Sequence, residues 1–212
     1  MKTIFGMIGD FYHPRENAID AVKKAVELNG AILIEGGTSE VGSALDTNPD
    51  ALIIYRENRV NPEAETVDMW LTDEIDEKIT TYVKNGGRII AMHTAIASYP
   101  EDSKYIDMVK GYFVEHPVPH YMTRYVSSDL SPLGDKFDFA VMDEHYVVNV
   151  DEANTNVFMR HSSEYGESCS AWYHSYGNGK VMVLVPTHRK EGFENPEMQR
   201  LVNEAVAWVL KG

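Results

Sequence analysis

One cysteine, Cys169, stands among 212 residues, so neither an intrachain disulfide nor a cysteine-based zinc cluster can form. Basic side chains are scarce as well: 19 Lys and Arg against 33 Asp and Glu leave a formal net charge of −14. No run of Lys or Arg occurs, and an acidic surface repels phosphate, so the expected partners include neither nucleic acid nor an anionic membrane. No apolar run approaches the ~20 residues that a membrane span needs. The apolar run Met1–Gly9 is short, is followed at once by Asp10 and lacks a cleavage region. It does not read as a signal peptide, and the expected location is cytoplasmic. Familiar catalytic signatures are missing too: there is no Gly-x-Ser-x-Gly elbow, His-Glu-x-x-His helix, dinucleotide fingerprint or phosphate loop. Cys169 falls inside a predicted strand, where a thiol behaves as a small buried hydrophobe.

What the chain does contain is an alternation of strand and helix patterns. Thr3–Ile8, Ala31–Glu35 and Ala51–Tyr55 are short apolar runs bounded by Gly, Asn, Pro or Asp. Ala18, Ala21, Val22, Ala25, Val26 and Leu28 repeat at helical spacing and stop at Asn29-Gly30. Thr72-Asp73 caps a second helix with the stripe Ile75, Ile79, Tyr82 and Val83. Strands separated by helices or long crossovers imply parallel pairing with right-handed connections. Later strands are predicted at Tyr121–Ser127, Phe137–Met142, His145–Val150, Val157–Arg160, Ser168–Ser175 and Lys180–Val185, with a hairpin turn at Tyr176–Gly179. Asn195 and Pro196 open a last helix whose buried face carries Leu201, Val202, Ala205, Val206, Trp208 and Val209. The expected architecture is a single domain over 1–212, a three-layer α/β/α sandwich with a mostly parallel central sheet and an antiparallel extension.

Gly86-Gly87-Arg88-Ile89-Ile90-Ala91-Met92-His93-Thr94-Ala95 is the most telling stretch. It reads as a buried strand that delivers His93 to the carboxyl rim of the sheet, where ligands of such folds bind. Hydrolases and amidotransferases of this architecture place Cys or Ser there, and an imidazole cannot replace a thiolate in acyl transfer. Eight histidines are present. His13 and His188 also follow predicted strands, so with His93 they can converge, to bind a divalent metal such as zinc, to move protons, or to bond a sugar. The plainer alternative for each is an isolated loop or capping residue, the preferred reading of His120, His161 and His174. Glu144, in Asp143-Glu144-His145-Tyr146, is either a ligand or general base or part of an exposed turn. In Gly111–Pro117, Phe113 and His116 can wall a sugar pocket, although Phe113 also suits a core position.

Taken in order, Phe11-Tyr12-His13-Pro14, Asn85-Gly86-Gly87, Met92-His93-Thr94-Ala95, Gly111-Tyr112-Phe113 with His116-Pro117, Asp143-Glu144-His145-Tyr146, Gly177-Asn178-Gly179, Thr187-His188 and the Trp208 helix run through nearly the whole chain. This series resembles the ThuA-like (trehalose utilisation) family of the class I glutamine amidotransferase-like superfamily. The sequence departs from it at Leu130–Leu133, where the family often shows a His-Pro pair, and in the charged Arg189–Gly192 loop. The resemblance implies a flavodoxin-like sandwich and carbohydrate metabolism, but not glutaminase activity, since the elbow cysteine is replaced.

The expected function is chemistry on a small-molecule sugar or keto-sugar by a metal-assisted hydrolase, lyase or isomerase. His93, Glu144 and His188 are the catalytic candidates; His13, His93 and His188 are the candidate metal ligands. Tyr12, His13, Phe113, His116 and Tyr146 are expected to bind substrate. The rival is a non-catalytic sugar-binding or regulatory module on the same scaffold. Met69, Trp70 and Leu71 form an apolar cluster that can either seat a second copy or pack inward.

Overall fold

The computed structural model describes residues 1–211; the last residue of the predicted domain, Gly212, lies outside them. The strands are β1 (Lys2–Ile8), β2 (Ala31–Glu35), β3 (Ala51–Tyr55), β4 (Arg88–Met92), β5 (Gly111–Glu115), β6 (Tyr121–Ser127), β7 (Asp138–Asp143), β8 (Val147–Val150), β9 (Asn156–Ser163), β10 (Gly166–Tyr176) and β11 (Gly179–Leu184). Nine of them form one sheet in the order β2-β1-β3-β4-β11-β10-β9-β6-β7, and β5 pairs with β8 apart from it. β2, β1, β3, β4 and β11 pair in parallel, whereas β10, β9, β6 and β7 pair antiparallel.

Helices cover both faces of the parallel half, which is why its strands are apolar at nearly every position. Side chains alternate across the sheet. Ile4, Ile53, Ile90 and Met182 pack against α1 (Arg15–Leu28) and α6 (Pro196–Leu210). Leu52, Ile54, Ile89 and Val183 pack on the other face, with α2 (Val41–Asp46), α3 (Asp73–Lys84) and α4 (Lys104–Val109). The caps follow the sequence. The Thr72 side chain accepts the Ile75 N–H at 3.3 Å, and Asn195 Oδ1 accepts the Glu197 N–H at 2.9 Å with Pro196 at the first helical position.

Strand direction sets up the site. β9 lies two antiparallel steps from β11, and β7 two more, so both point the same way as the parallel set. The carboxyl ends of β1, β3, β4, β11 and β7 therefore open on one rim. β10 carries register shifts between Cys169 and Trp172, and a bulge of this kind bends and twists a strand. Asp143, the last residue of β7, reaches the segment after β11, where its Oδ1 accepts the His188 N–H at 2.9 Å.

Two features depart from the sequence reading. The predicted strand His145–Val150 begins only at Val147, because Glu144, His145 and Tyr146 turn inward beneath the rim. Gly111–Glu115 is itself a strand, β5, and carries Phe113. Within the Met69–Leu71 cluster, Trp70 takes the inward alternative: it is buried, donates its indole N–H to the Glu57 carbonyl at 2.9 Å and meets Tyr99 edge-on. Among the described residues no helix is long and apolar enough to cross a membrane.

Candidate functional site

Past β1 the chain turns sharply. Gly9 has φ +99°, and a Cβ there would lie 2.7 Å from the Arg15 backbone nitrogen, so only glycine fits. Asp10 organises the turn. Its Oδ1 accepts the N–H groups of Tyr12 (3.0 Å) and His13 (2.9 Å) and meets His13 Nδ1 at 2.7 Å. Its Oδ2 accepts the Glu57 N–H at 2.9 Å and the Thr94 hydroxyl at 3.1 Å. Burial alone would raise the Asp10 carboxyl; the His13 ring and the backbone donors outweigh it and hold the group below its ordinary value.

His93 opens a short 3-10 turn, His93–Ile96, directly after β4, and takes φ +44°. A non-glycine residue held in the left-handed region costs free energy and marks functional sites. The ring is buried, and its Nδ1 lies 2.7 Å from the Val185 carbonyl, which can only accept. Nδ1 therefore carries a proton and Nε2 faces the cleft. His13 is arranged in the same way by Asp10. A second ring nitrogen tied to a carboxylate or carbonyl is how metal-binding histidines are oriented.

Glu144 follows β7, its backbone N–H held by Asp143 Oδ1 at 2.9 Å. Its Oε2 lies 3.3 Å from His93 Nε2, and its Oε1 lies 3.4 Å from His188 Nδ1 and 3.6 Å from the Nε2 atoms of His116 and His120. Burial would raise this carboxyl, but His93, then His188 and His116, bring it down to about 2. Burial likewise works to lower His93, and Glu144 more than compensates, so that ring lies above its ordinary value. His188, penalised first by burial and then by the charge on His93, falls to about 3. One carboxylate thus splits its imidazoles into a readily charged one and a neutral one.

His13, His93, Glu144 and His188 each offer a ligand atom within 4.8 Å of the others. His93 Nε2, Glu144 Oε2 and His188 Nδ1 are buried yet make no aligned hydrogen bond. Buried polar atoms seldom go unpaired. Three converging on one point, all nitrogen or oxygen donors, fit a divalent ion of the zinc type, for which imidazole and carboxylate are usual ligands. Above them is a cleft of about 400 Å³. Tyr12, Phe113 and Tyr146 give it aromatic walls, and His116 lines it too. Tyr146 stacks on His93 at 4.1 Å between ring centroids and meets Phe113 at 4.4 Å.

Of the three histidines for which an isolated role is the plainer expectation, two are buried and the third stands at the site. His120 lies over Glu144 with its ring 5.7 Å from that of His188. His174 is buried and bonds the Met108 carbonyl at 2.8 Å from Nε2, and His161 is buried against His145. Sequence reasoning also passes over Asp10, Glu57 and Arg59. Glu57 follows β3 as His13 follows β1, so the strand-end rule that selects His13 also points to it. Cys169 is buried in β10, where burial pushes its thiol up to about 11.

Comparison with known proteins agrees with this architecture. A search of curated proteins finds no match. Among solved structures, a ThuA-like protein from Bacteroides uniformis ATCC 8492 superposes with a TM-score of 0.70 at 17% identity, covering 98% of this chain and 90% of its own. A ThuA-like protein from Parabacteroides merdae ATCC 43184 gives 0.69 at 11% identity, with coverage of 100% and 90%. A protein from Salmonella typhimurium LT2 described as cytoplasmic gives 0.64 at 11% identity, with both chains covered in full. At such identities the likeness is one of fold. The family profile for ThuA, described as trehalose utilisation, matches residues 9–209, and the chain belongs to that family.

Proposed function

We propose that this protein is an enzyme of carbohydrate metabolism that takes a sugar or keto-sugar derivative into the rim cleft. In this reading His13, His93 and His188 hold a divalent metal such as zinc, and Glu144 carries the proton. The observation behind it is the convergence of three unpaired buried atoms, on His93, Glu144 and His188, beside the cleft. When bound, such an ion polarises a carbonyl or acidifies a water. The chain's own residues do the rest. Asp10 and the Val185 carbonyl fix the rings of His13 and His93. Glu144, held ionised among imidazoles, is placed to accept a proton as general base. The aromatic walls pack on the apolar face of a sugar ring and exclude water. Glutamine hydrolysis is disfavoured, because the elbow carries an imidazole and the one thiol is buried in a strand with its pKa raised.

The test begins with element analysis of the purified protein and zinc titration of the metal-free form. One equivalent should bind, and at about a hundred times Kd it should stabilise the fold by about 2.7 kcal/mol. His93→Asn should abolish that gain while keeping the fold, since Asn tolerates the left-handed backbone. Trehalose and keto-sugar derivatives are then incubated with the zinc-loaded protein and followed by NMR. Conversion that His93→Asn eliminates supports the proposal. Binding with sugar recovered unchanged identifies a sugar-binding module instead, and neither metal nor conversion overturns the reading.

A further inference from the structure

The same cleft has a second polar cluster that metal chemistry does not use. Glu57 follows β3 and is only 1% exposed, yet it borders the cleft. Its Oε2 is engaged twice, by Arg59 Nε at 2.7 Å and by the Ser98 hydroxyl at 2.8 Å. Its Oε1 is buried and has no partner. Arg59 also lines the cleft, lies over the Tyr12 ring at 5.6 Å and uses only Nε in bonding Glu57. Its two terminal nitrogens make no hydrogen bond within the described residues.

The cluster is rigid. The Glu57 N–H is tied to Asp10, its carbonyl accepts the Trp70 indole, and Tyr99 bonds the neighbouring Arg56 carbonyl at 2.8 Å. Asn58 Nδ2 bonds the Ser98 carbonyl at 3.2 Å, and Ser98 itself is held at φ +65°. A strained serine that serves to fix one carboxylate oxygen leaves the other unpaired in a preorganised position at the edge of the cleft.

We propose that Glu57 and Arg59 form the specificity end of the cleft and bind an uncharged vicinal diol of the substrate, one hydroxyl donating to Glu57 Oε1 and the next accepting from the Arg59 guanidinium. The proposal rests on reading this cleft as the sugar site. Each sugar hydroxyl both donates and accepts, so a free acceptor beside free donors matches two adjacent hydroxyls. Sugar acids and sugar phosphates fit worse: Glu57 already neutralises Arg59, and its unpaired oxygen repels an anion.

Calorimetry on the zinc-supplemented protein tests this with trehalose and glucose as neutral probes and gluconate and glucose 6-phosphate as anionic ones. The neutral sugars should bind, and Glu57→Gln and Arg59→Met should each weaken them about tenfold, as loss of one charge-assisted hydrogen bond does. Ser98→Gly, which relieves the backbone strain and frees Glu57 Oε2, should weaken them in the same direction and serves if Glu57→Gln misfolds. Zinc affinity, measured in parallel, should be unchanged in all three variants. Preference for the anionic probes, unaltered neutral-sugar binding in the variants, or no sugar binding at millimolar concentration overturns the diol assignment. If zinc binds as expected in that case, the metal centre stands without it. Sugar binding that depends on Glu57 and Arg59 in a protein that takes no zinc does the opposite: it upholds the diol site and removes the metal.

Discussion

Two sets of histidines share the rim of this molecule and differ in one respect. His93, His116, His120 and His188 surround Glu144. His145 and His161 lie next door, 4.6 Å apart edge to face, with no carboxylate between them. His145 at least bonds the Ser163 hydroxyl at 2.8 Å from Nδ1, whereas neither nitrogen of His161 has a partner. Burial is much the same for His93 and His161, each 1% exposed. Yet His93 lies above its ordinary pKa and His161 is pushed down to about 3, chiefly by burial. Desolvation by itself makes an inert ring; desolvation beside an anion makes one that can hold a proton or a metal. Glu144 is the largest of the influences that raise His93, and His161 has no such partner.

The sharpest way to break this contrast is to remove the anion. Glu144→Gln should reduce turnover by about 10²–10⁴-fold, the usual contribution of a positioned proton carrier. It should also lower the pKa of the His93 ring, because the largest influence raising it is removed while burial continues to act against the weaker pull of Asp143 and the Val185 carbonyl. NMR titration of the ring reads the second effect without needing a substrate. A His93 pKa unmoved by Glu144→Gln would remove Glu144 from the explanation.

The next effect belongs to the dry pair. In the unfolded chain His161 has the ordinary value of ~6.5, against about 3 in the fold. Between these values the unfolded state binds a proton that the native state does not, so stability rises with pH. The contribution is complete above ~6.5 and is lost as pH falls from there towards about 3, amounting to a few kcal/mol at ~1.4 kcal/mol per unit. Urea unfolding of the metal-free protein at intervals from pH 7 to pH 4, with and without His161→Met, isolates it. Equal acid slopes for the two proteins would show that His161 titrates normally.

Much of this arrangement is legible in the chain because parallel strands end on a common rim. His13, His93 and His188 each follow an apolar run within a few residues, and the structure brings them within reach of one another. Glu144 and His120 are harder. They flank β7 and β6, and their arrival depends on the antiparallel pairing order β10-β9-β6-β7, which no local pattern announces. The helix Lys104–Val109 has only six residues, too few for its buried Tyr105, Ile106, Met108 and Val109 to display a period. Trp70 sits in a polar segment that gives no sign of which way it faces; its burial follows from an indole bond to a carbonyl 13 residues earlier.

A smaller effect sharpens the comparison from the metal side. Asp10 does for His13 what no residue does for His161: it fixes which nitrogen carries the proton. Asp10→Asn keeps the shape but weakens that preference, and should lower zinc affinity by about 10–100-fold, as loss of an outer-sphere carboxylate does. The same substitution disturbs the anchor on the Glu57 N–H, so sugar affinity should fall with it. Zinc affinity unchanged in Asp10→Asn would mean that His13 is not a ligand.

The smallest expected effect is the most discriminating for the dry pair. His161 leaves two buried nitrogens unpaired, and replacing an unsatisfied polar group with an apolar one of similar size is neutral or stabilising. His161→Met supplies comparable volume on a flexible chain that can fit against Tyr125 and His145. At pH 7 the variant should gain about 1 kcal/mol in urea unfolding, with zinc affinity and turnover unchanged. A variant that folds normally and yet loses turnover would join the two histidine sets into one working network, with His145 relaying between His161 and the Glu144 backbone. Stability gained without functional cost would show that proximity to the rim confers no role on an imidazole lacking an anion to face.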